Sequence, residues 1–157
     1  MYFKILRPYF FMMNSRQATV YLWCLSFFLF ILATYSCTWV APTDFQQGEN
    51  YRIIFVHVPS AWMSIFIYIM ISLASFLFLI TKHPIFYVFS QISTQVGILF
   101  TLLTLFTGSF WGKPMWGTFW VWDARLTSVF ILLFIYLAAT RLLDFSPEIG
   151  PSLFVLA

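Results

Sequence analysis

Four separate stretches of this sequence are each apolar for close to twenty residues, and that pattern constrains the fold more than any other feature. A bilayer core of about 30 Å takes about 20 residues of helix to cross. In lipid, a spanning segment must satisfy its own backbone N–H and C=O groups, which leaves the α-helix as the form for such runs. With 62% hydrophobic and 8% charged residues, the 157-residue chain reads as an all-α polytopic membrane protein. Its length holds four crossings with their connections, so residues 1–157 are expected to form one membrane domain without a separate soluble part.

The crossings are expected at about 20–40, 60–80, 88–110 and 126–143. Before the first lie Lys4, Arg7 and Arg16 with no acid, which marks the side that is not translocated. Pro42 closes the first run, and the loop 41–52 carries Asp44 and Glu49 against Arg52. Pro59 is expected in the first turn of the second helix, where its missing N–H costs nothing, which puts His57 at that helix's entrance. Thr81-Lys82-His83-Pro84 makes a short return loop with a base and no acid. The tail 144–157 contains Pro147 and Pro151 and ends in an apolar pentad, Leu153 to Ala157, that resembles the opening of a fifth crossing. By this count Lys4, Arg7, Arg16, Lys82 and Arg141 share one side, and His57 lies on the other.

The third run is the most polar. Gln91 and Gln95 stand one turn apart beside Ser90, Ser93, Thr94, Thr101, Thr104 and Thr107. Hydrogen bonding between packed helices accounts for such residues more readily than a ligand path does.

Between the third and fourth runs, residues 111–125 are expected to form an outer loop holding Trp111, Trp116, Trp120 and Trp122 with Lys113, Asp123 and Arg125. Gly112, Pro114 and Gly117 argue against a continuous helix there, while Thr118 is placed to cap a short turn presenting Phe119 and Trp122. An aromatic shelf rimmed by charge suits a flat, apolar ring that carries acidic groups. The competing account is an ordinary belt of tryptophan at the membrane boundary.

His57 is the histidine on the tryptophan side and a candidate ligand for haem iron, whereas His83, before Pro84 in a tight loop, reads as structural. Asp123 either holds a ligand or arginine or satisfies the first N–H groups of the fourth helix. Cys24 and Cys37, thirteen residues apart in one helix, stand about 20 Å apart along its axis and cannot bridge there. The sequence has no dithiol motif, phosphate loop, catalytic triad order or multi-histidine cluster, and its bases are scattered rather than gathered for nucleic acid. No enzyme activity is expected.

The segment Trp116 to Thr127, WGTFWVWDARLT, resembles the tryptophan-rich haem-handling motif of cytochrome c maturation proteins. Pro42, Gln46-Gln47-Gly48, Tyr51-Arg52-Ile53, Val56-His57-Val58-Pro59, Thr107-Gly108-Ser109 and Trp111 to Trp116 extend the likeness to the C protein of that system, over essentially the whole chain. The phenylalanine-rich spans are closer in character to mitochondrially encoded members than to bacterial ones. The resemblance implies haem as transferred cargo, bound on the outer face of an energy-conserving membrane and passed to a haem chaperone. It implies His57 as one axial ligand and Trp116, Gly117, Trp120, Trp122 and Asp123 as the haem platform. Arg52, Lys113 and Arg125 are candidate partners for the haem propionates. Implied partners are ATP-binding cassette transporter subunits and the lipid itself, in the mitochondrial inner membrane with the site facing the intermembrane space. A bacterial inner membrane with the site facing the periplasm is the alternative setting. The family has six crossings and a second axial histidine beyond the point this sequence reaches, and a second polypeptide supplying them is the favoured expectation. The rival functional readings are a structural subunit of a larger membrane assembly without haem, and a small transporter using the third span.

Overall fold

The computed structural model describes residues 8–145, with side chains placed for residues 15–143. The expected fifth crossing, and Lys4 and Arg7, lie outside the described residues. The chain is an all-α membrane protein with four helices long and apolar enough to cross a bilayer. These are α1 (Pro8–Tyr35), α2 (Ile54–Thr81), α3 (Pro84–Trp116) and α4 (Ala124–Phe145), with a π-helical turn at Ser36–Val40 and a 3-10 turn at Glu49–Ile53. The chain divides into two units, one ending at Thr43 and the other starting at Asp44. In the first unit, Cys24 and Cys37 form no disulfide with each other, as their spacing requires.

The second unit contains α2, α3 and α4. Helix α2 stops at Lys82, whose φ of 54° turns the chain left-handed while its N–H donates to the Phe78 carbonyl at 2.8 Å. One residue later His83 caps α3, its ring Nδ1 accepting from the Ile85 N–H at 3.3 Å, and Pro84 takes the first helical position. So short a connection forces α2 and α3 into an antiparallel pair, and His83 has the structural role expected of it.

Two stripes make that pair. Ser60, Ser64, Ile67, Ile71, Ala74, Ser75 and Phe78 are buried along α2, and Ser90, Thr94, Gly97, Thr101, Thr104, Thr107 and Gly112 along α3. Steps mostly of three and four residues keep each set on one helical face. Small side chains let the backbones approach, which matters in lipid because apolar side chains gain little by leaving one apolar medium for another. Helix α4 closes the unit through Tyr136, Ala139 and Leu143, packed against Ile67 and Ile71. Leu73, Phe76, Leu99, Leu102, Phe134 and Leu137 point outward, as expected of faces that meet lipid tails.

The hydroxyls of α3 differ from the expectation of bonding between helices. Thr94, Thr101 and Thr104 donate to the carbonyls of Ser90, Gly97 and Phe100 on their own helix at 2.7–2.8 Å. A buried hydroxyl with no partner across the interface finds the nearest unspent lone pair, that of the carbonyl four residues back. Ser90 and Thr107 do reach α2, at Ser75 (3.3 Å) and His57 (3.0 Å). The stripe is buried in the helix packing, with Gly97 against Tyr136 of α4, while Gln95 is exposed.

Two helix boundaries also differ from the sequence expectation. Helix α2 begins at Ile54, continuing the 3-10 turn, so Pro59 is its sixth residue and His57, its fourth, lies in the first helical turn at the entrance. The apolar residues Ile54, Phe55, Val56 and Val58 extend the run, and the one lost hydrogen bond is tolerated within the helix. Helix α3 runs through Gly112 and Pro114 to Trp116, which reduces the expected loop 111–125 to residues 117–123. Gly112 is buried under the Trp116 ring, whose Cε3 lies 2.9 Å from where a Cβ would stand, so packing outweighs the local preference. Pro114 cannot donate to the Phe110 carbonyl, and the helix tolerates that single lost bond in its last turn.

Candidate functional site

At the end of the second unit where α2 begins, α3 ends and α4 begins, a cavity of about 390 Å³ opens. That volume lies toward the lower end of the roughly 300–1,000 Å³ typical of small-molecule sites. Its lining includes His57 and Ala61 from α2, Thr104, Gly108, Trp111 and Trp116 from α3, and Leu126 and Val129 from α4, with Gln47 and Asp123 from the connecting segments.

Three neighbours hold the His57 ring. The Thr107 hydroxyl is 3.0 Å from Nδ1. Trp111 meets the ring edge to face, with centroids 5.6 Å apart and planes at 62°. Gly108 lies alongside, where an added Cβ would be 3.0 Å from Cε1. Trp111 is itself anchored, donating its indole N–H to the Gln47 side-chain oxygen at 2.9 Å across sixty-four residues of sequence. Gln47 is in turn set by an Asx turn, in which the Asp44 carboxylate accepts from the N–H groups of Gln46 and Gln47 at 2.9 and 2.8 Å.

Asp123 answers both alternatives left open for it. One carboxylate oxygen caps α4 by accepting from the Leu126 N–H at 2.8 Å, and the other takes the Arg125 guanidinium at 3.0 Å. The Leu126 amide chiefly, and the Arg125 charge with it, hold the Asp123 carboxyl below the usual carboxylate range. Arg125 also lies 5.7 Å over the Trp116 ring, which places a cation beside an aromatic wall at the cavity.

The residues singled out in the sequence divide into two groups. His57, Trp116, Asp123 and Arg125 line one cavity. Gly117 ends α3 with φ 74°, its N–H donating to the Lys113 carbonyl at 3.0 Å, and does not line it. Trp120 and Trp122 pack on each other at 5.5 Å, away from the lining, and Trp120 also meets Phe130 at 5.7 Å. The Trp120 indole nitrogen is buried without a hydrogen-bond partner among the described residues. Thr118 bonds with the Trp120 backbone at 3.2–3.4 Å and starts no helical turn, so the anticipated cap is absent and the shelf is two clusters. Lys113 donates to the Gly117 carbonyl at 2.9 Å and covers Phe119, and Arg52 pairs with Glu49 over the Tyr51 ring. Among the three candidate propionate partners, Arg125 is the one at the cavity.

The sequence marks no site role for Gln47, Thr104, Thr107 or Gly108, and offers Trp111 as one of the four shelf tryptophans. Thr104, Thr107 and Gly108 lie within the expected third crossing, and continuing α3 past residue 110 brings Trp111 onto the same helical face.

The family model described as CcmC, heme exporter protein C, matches residues 1–147. The chain belongs to the CcmC family. Its CcmC relatives include a Marchantia polymorpha protein named as a cytochrome c biosynthesis ccmC-like mitochondrial protein, 59% identical over 155 residues, 99% of this chain and 68% of that protein. The similarly named Arabidopsis thaliana protein is 53% identical over 147 residues, covering 94% of this chain and 57% of its own length. Heme exporter protein C of Escherichia coli K12 is 48% identical over 102 residues, covering 65% and 42%. The chain thus spans between about two fifths and two thirds of the length of these CcmC relatives.

Proposed function

We propose that this chain handles haem in cytochrome c maturation, binding it at the His57 cavity as cargo and passing it to a haem chaperone. The observation that carries the reading is the shared lining of one cavity by an imidazole, two indoles and an arginine drawn from three helices. Their chemistry fits a porphyrin: His57 offers a nitrogen for iron, Trp111 and Trp116 offer apolar ring faces, and Arg125 offers a cation for a propionate. Trp120, with its buried and unpartnered indole N–H, is a further donor near the same end of the unit. The names of the relatives, heme exporter protein C and the mitochondrial ccmC-like proteins, support the same reading.

The site end is assigned to the intermembrane-space face of the mitochondrial inner membrane. Five of the eight basic residues fall on the opposite side by the crossing count, in keeping with the retention of positive charge on the side where the chain is made. Subunits of an ATP-binding cassette transporter are the proposed assembly partners, supplying the nucleotide chemistry for which this sequence has no motif.

Haem titration of the purified protein in lipid nanodiscs tests the reading. The Soret band should shift and sharpen on binding, and His57→Ala should abolish that shift while a lipid-facing control, Leu99→Ala, retains it. Equal spectra from the parent and His57→Ala would sink the proposal.

A further inference from the structure

We infer that Thr107 fixes His57 as its Nδ1–H tautomer, making Nε2 the ring nitrogen with an available lone pair. The inference concerns the ring before any ligand arrives, and its bearing on haem rests on the function proposed above. A neutral imidazole carries one proton, and the group facing each nitrogen decides which nitrogen holds it. Thr107 Oγ1 lies 2.7 Å from the Leu103 carbonyl and 3.3 Å from the Thr104 carbonyl. Carbonyls only accept, so the single hydroxyl proton is directed at the Leu103 oxygen. This is the arrangement Thr94, Thr101 and Thr104 adopt along the same face. A hydroxyl that has donated its proton presents lone pairs to its remaining neighbour. That neighbour is Nδ1 at 3.0 Å, which must then donate.

The opposite tautomer would need the Thr107 hydroxyl to turn from Leu103 toward Nδ1 and give up the bond to its own helix. The net worth of one hydrogen bond corresponds to a preference of about fivefold in the tautomer ratio. Placement adds to this. Trp111 against the ring edge and Gly108 beside Cε1 leave the imidazole little room to rotate away from Thr107. Thr107 is thus a positioning residue. It touches no substrate, and it acts by deciding which nitrogen of His57 can coordinate or accept.

Nitrogen NMR of the haem-free protein tests this directly. The chain has two histidines, so a sample labelled with 15N-histidine in nanodiscs gives two imidazoles, and His83→Gln assigns His57. The spectrum is recorded at about pH 8.5, well above the ordinary imidazole value of about 6.5, so that it reports the neutral form of His57. The expected spectrum has His57 Nδ1 protonated and Nε2 bearing the lone pair, in a ratio of about five to one or more. Thr107→Ser should preserve it. Thr107→Val, of similar shape without the hydroxyl, should reduce the ratio by about fivefold. A parent spectrum with Nε2 protonated overturns the inference, and so does a Thr107→Val spectrum identical to the parent's.

Haem titration of the same variants separates the two ideas. Weakening of about tenfold in Thr107→Val, with parental affinity in Thr107→Ser, is expected of a group that orients an iron ligand. The predicted tautomer in a protein that binds no haem would defeat the proposed function alone. Binding through His57 to a protein whose free ring is Nε2-protonated would defeat the tautomer assignment alone.

Discussion

The Tyr136 ring of α4 lies directly over Gly97 of α3, so close that an added Cβ would overlap the ring carbons and stand 2.7 Å from the hydroxyl oxygen. That hydroxyl donates to the Ser64 carbonyl of α2 at 2.8 Å, so one tyrosine ties all three helices of the second unit together. Both residues are buried, and the ring is edge to face with Tyr68 at 6.3 Å.

Gly97→Ala therefore has nowhere to place its methyl. Overpacking of this kind typically costs about 1–3 kcal/mol, and thermal unfolding in nanodiscs followed by circular dichroism should show a lower midpoint. Tyr136→Phe keeps the ring and loses one hydrogen bond, so its loss should be smaller, about 0.5–1.5 kcal/mol. A Gly97→Ala protein as stable as the parent would mean that the helices meet less closely than described.

Gln47 and Trp111 should behave as one unit. Gln47→Leu and Trp111→Phe each remove the same hydrogen bond, and each should weaken haem binding by about fivefold, the value of one bond. The double variant should be weaker than Trp111→Phe alone by less than a further factor of two, because residues that share a contact are not additive. Multiplying losses in the titration would separate the two residues.

Gly108→Ala should act on the site more than on the fold. Its new methyl would stand 3.0 Å from His57 Cε1, tight enough that the imidazole must shift by a few tenths of an ångström. The expected result is a weakened Soret response with an unfolding midpoint close to the parent's. An unchanged haem titration would show that the ring tolerates the displacement.

The pH dependence of the α4 start follows from Asp123. Its carboxyl is held below the ordinary range, so the ionised form is favoured in the folded state. A depressed folded value means that the stabilisation is fully present above the unfolded value of about 3.9 and disappears as pH falls through the lower, folded value. Asp123→Asn can still cap α4 but loses the Arg125 pairing, and Asp123→Ala loses both. At neutral pH the order of unfolding midpoints should be parent, Asn, Ala, with parent and Asn converging in acid. Parallel curves down to low pH would remove Asp123 from that role.

Much of this was legible in the sequence because the bilayer imposes a length. The number and order of crossings followed from the apolar runs, and His57, Trp116, Asp123 and Arg125 do meet at one cavity. The misplaced boundaries share a cause. Pro59, Gly112 and Pro114 are breakers by local preference, yet each sits in a helix held by its neighbours, as Gly112 is by the Trp116 ring. Ending α3 at residue 110 left Trp111 off the helical face that carries Thr104, Thr107 and Gly108. It also merged four tryptophans into one shelf, whereas Trp111 and Trp116 belong to the helix and Trp120 and Trp122 to the connection. The Gln47–Trp111 bond spans sixty-four positions, and no local pattern announces it.

The hydroxyls in the middle of α3 turn back on their own helix, so they do little to fix how far α2 has slid along α3. The bonds Ser75–Ser90 and His57–Thr107 bracket that smooth stretch, seventeen residues or about 26 Å apart along α3. One of these two rulers for lengthwise alignment is thus the imidazole itself. The lengthwise alignment of α2 on α3 is therefore fixed, at the cavity end, by a side chain that also lines the cavity.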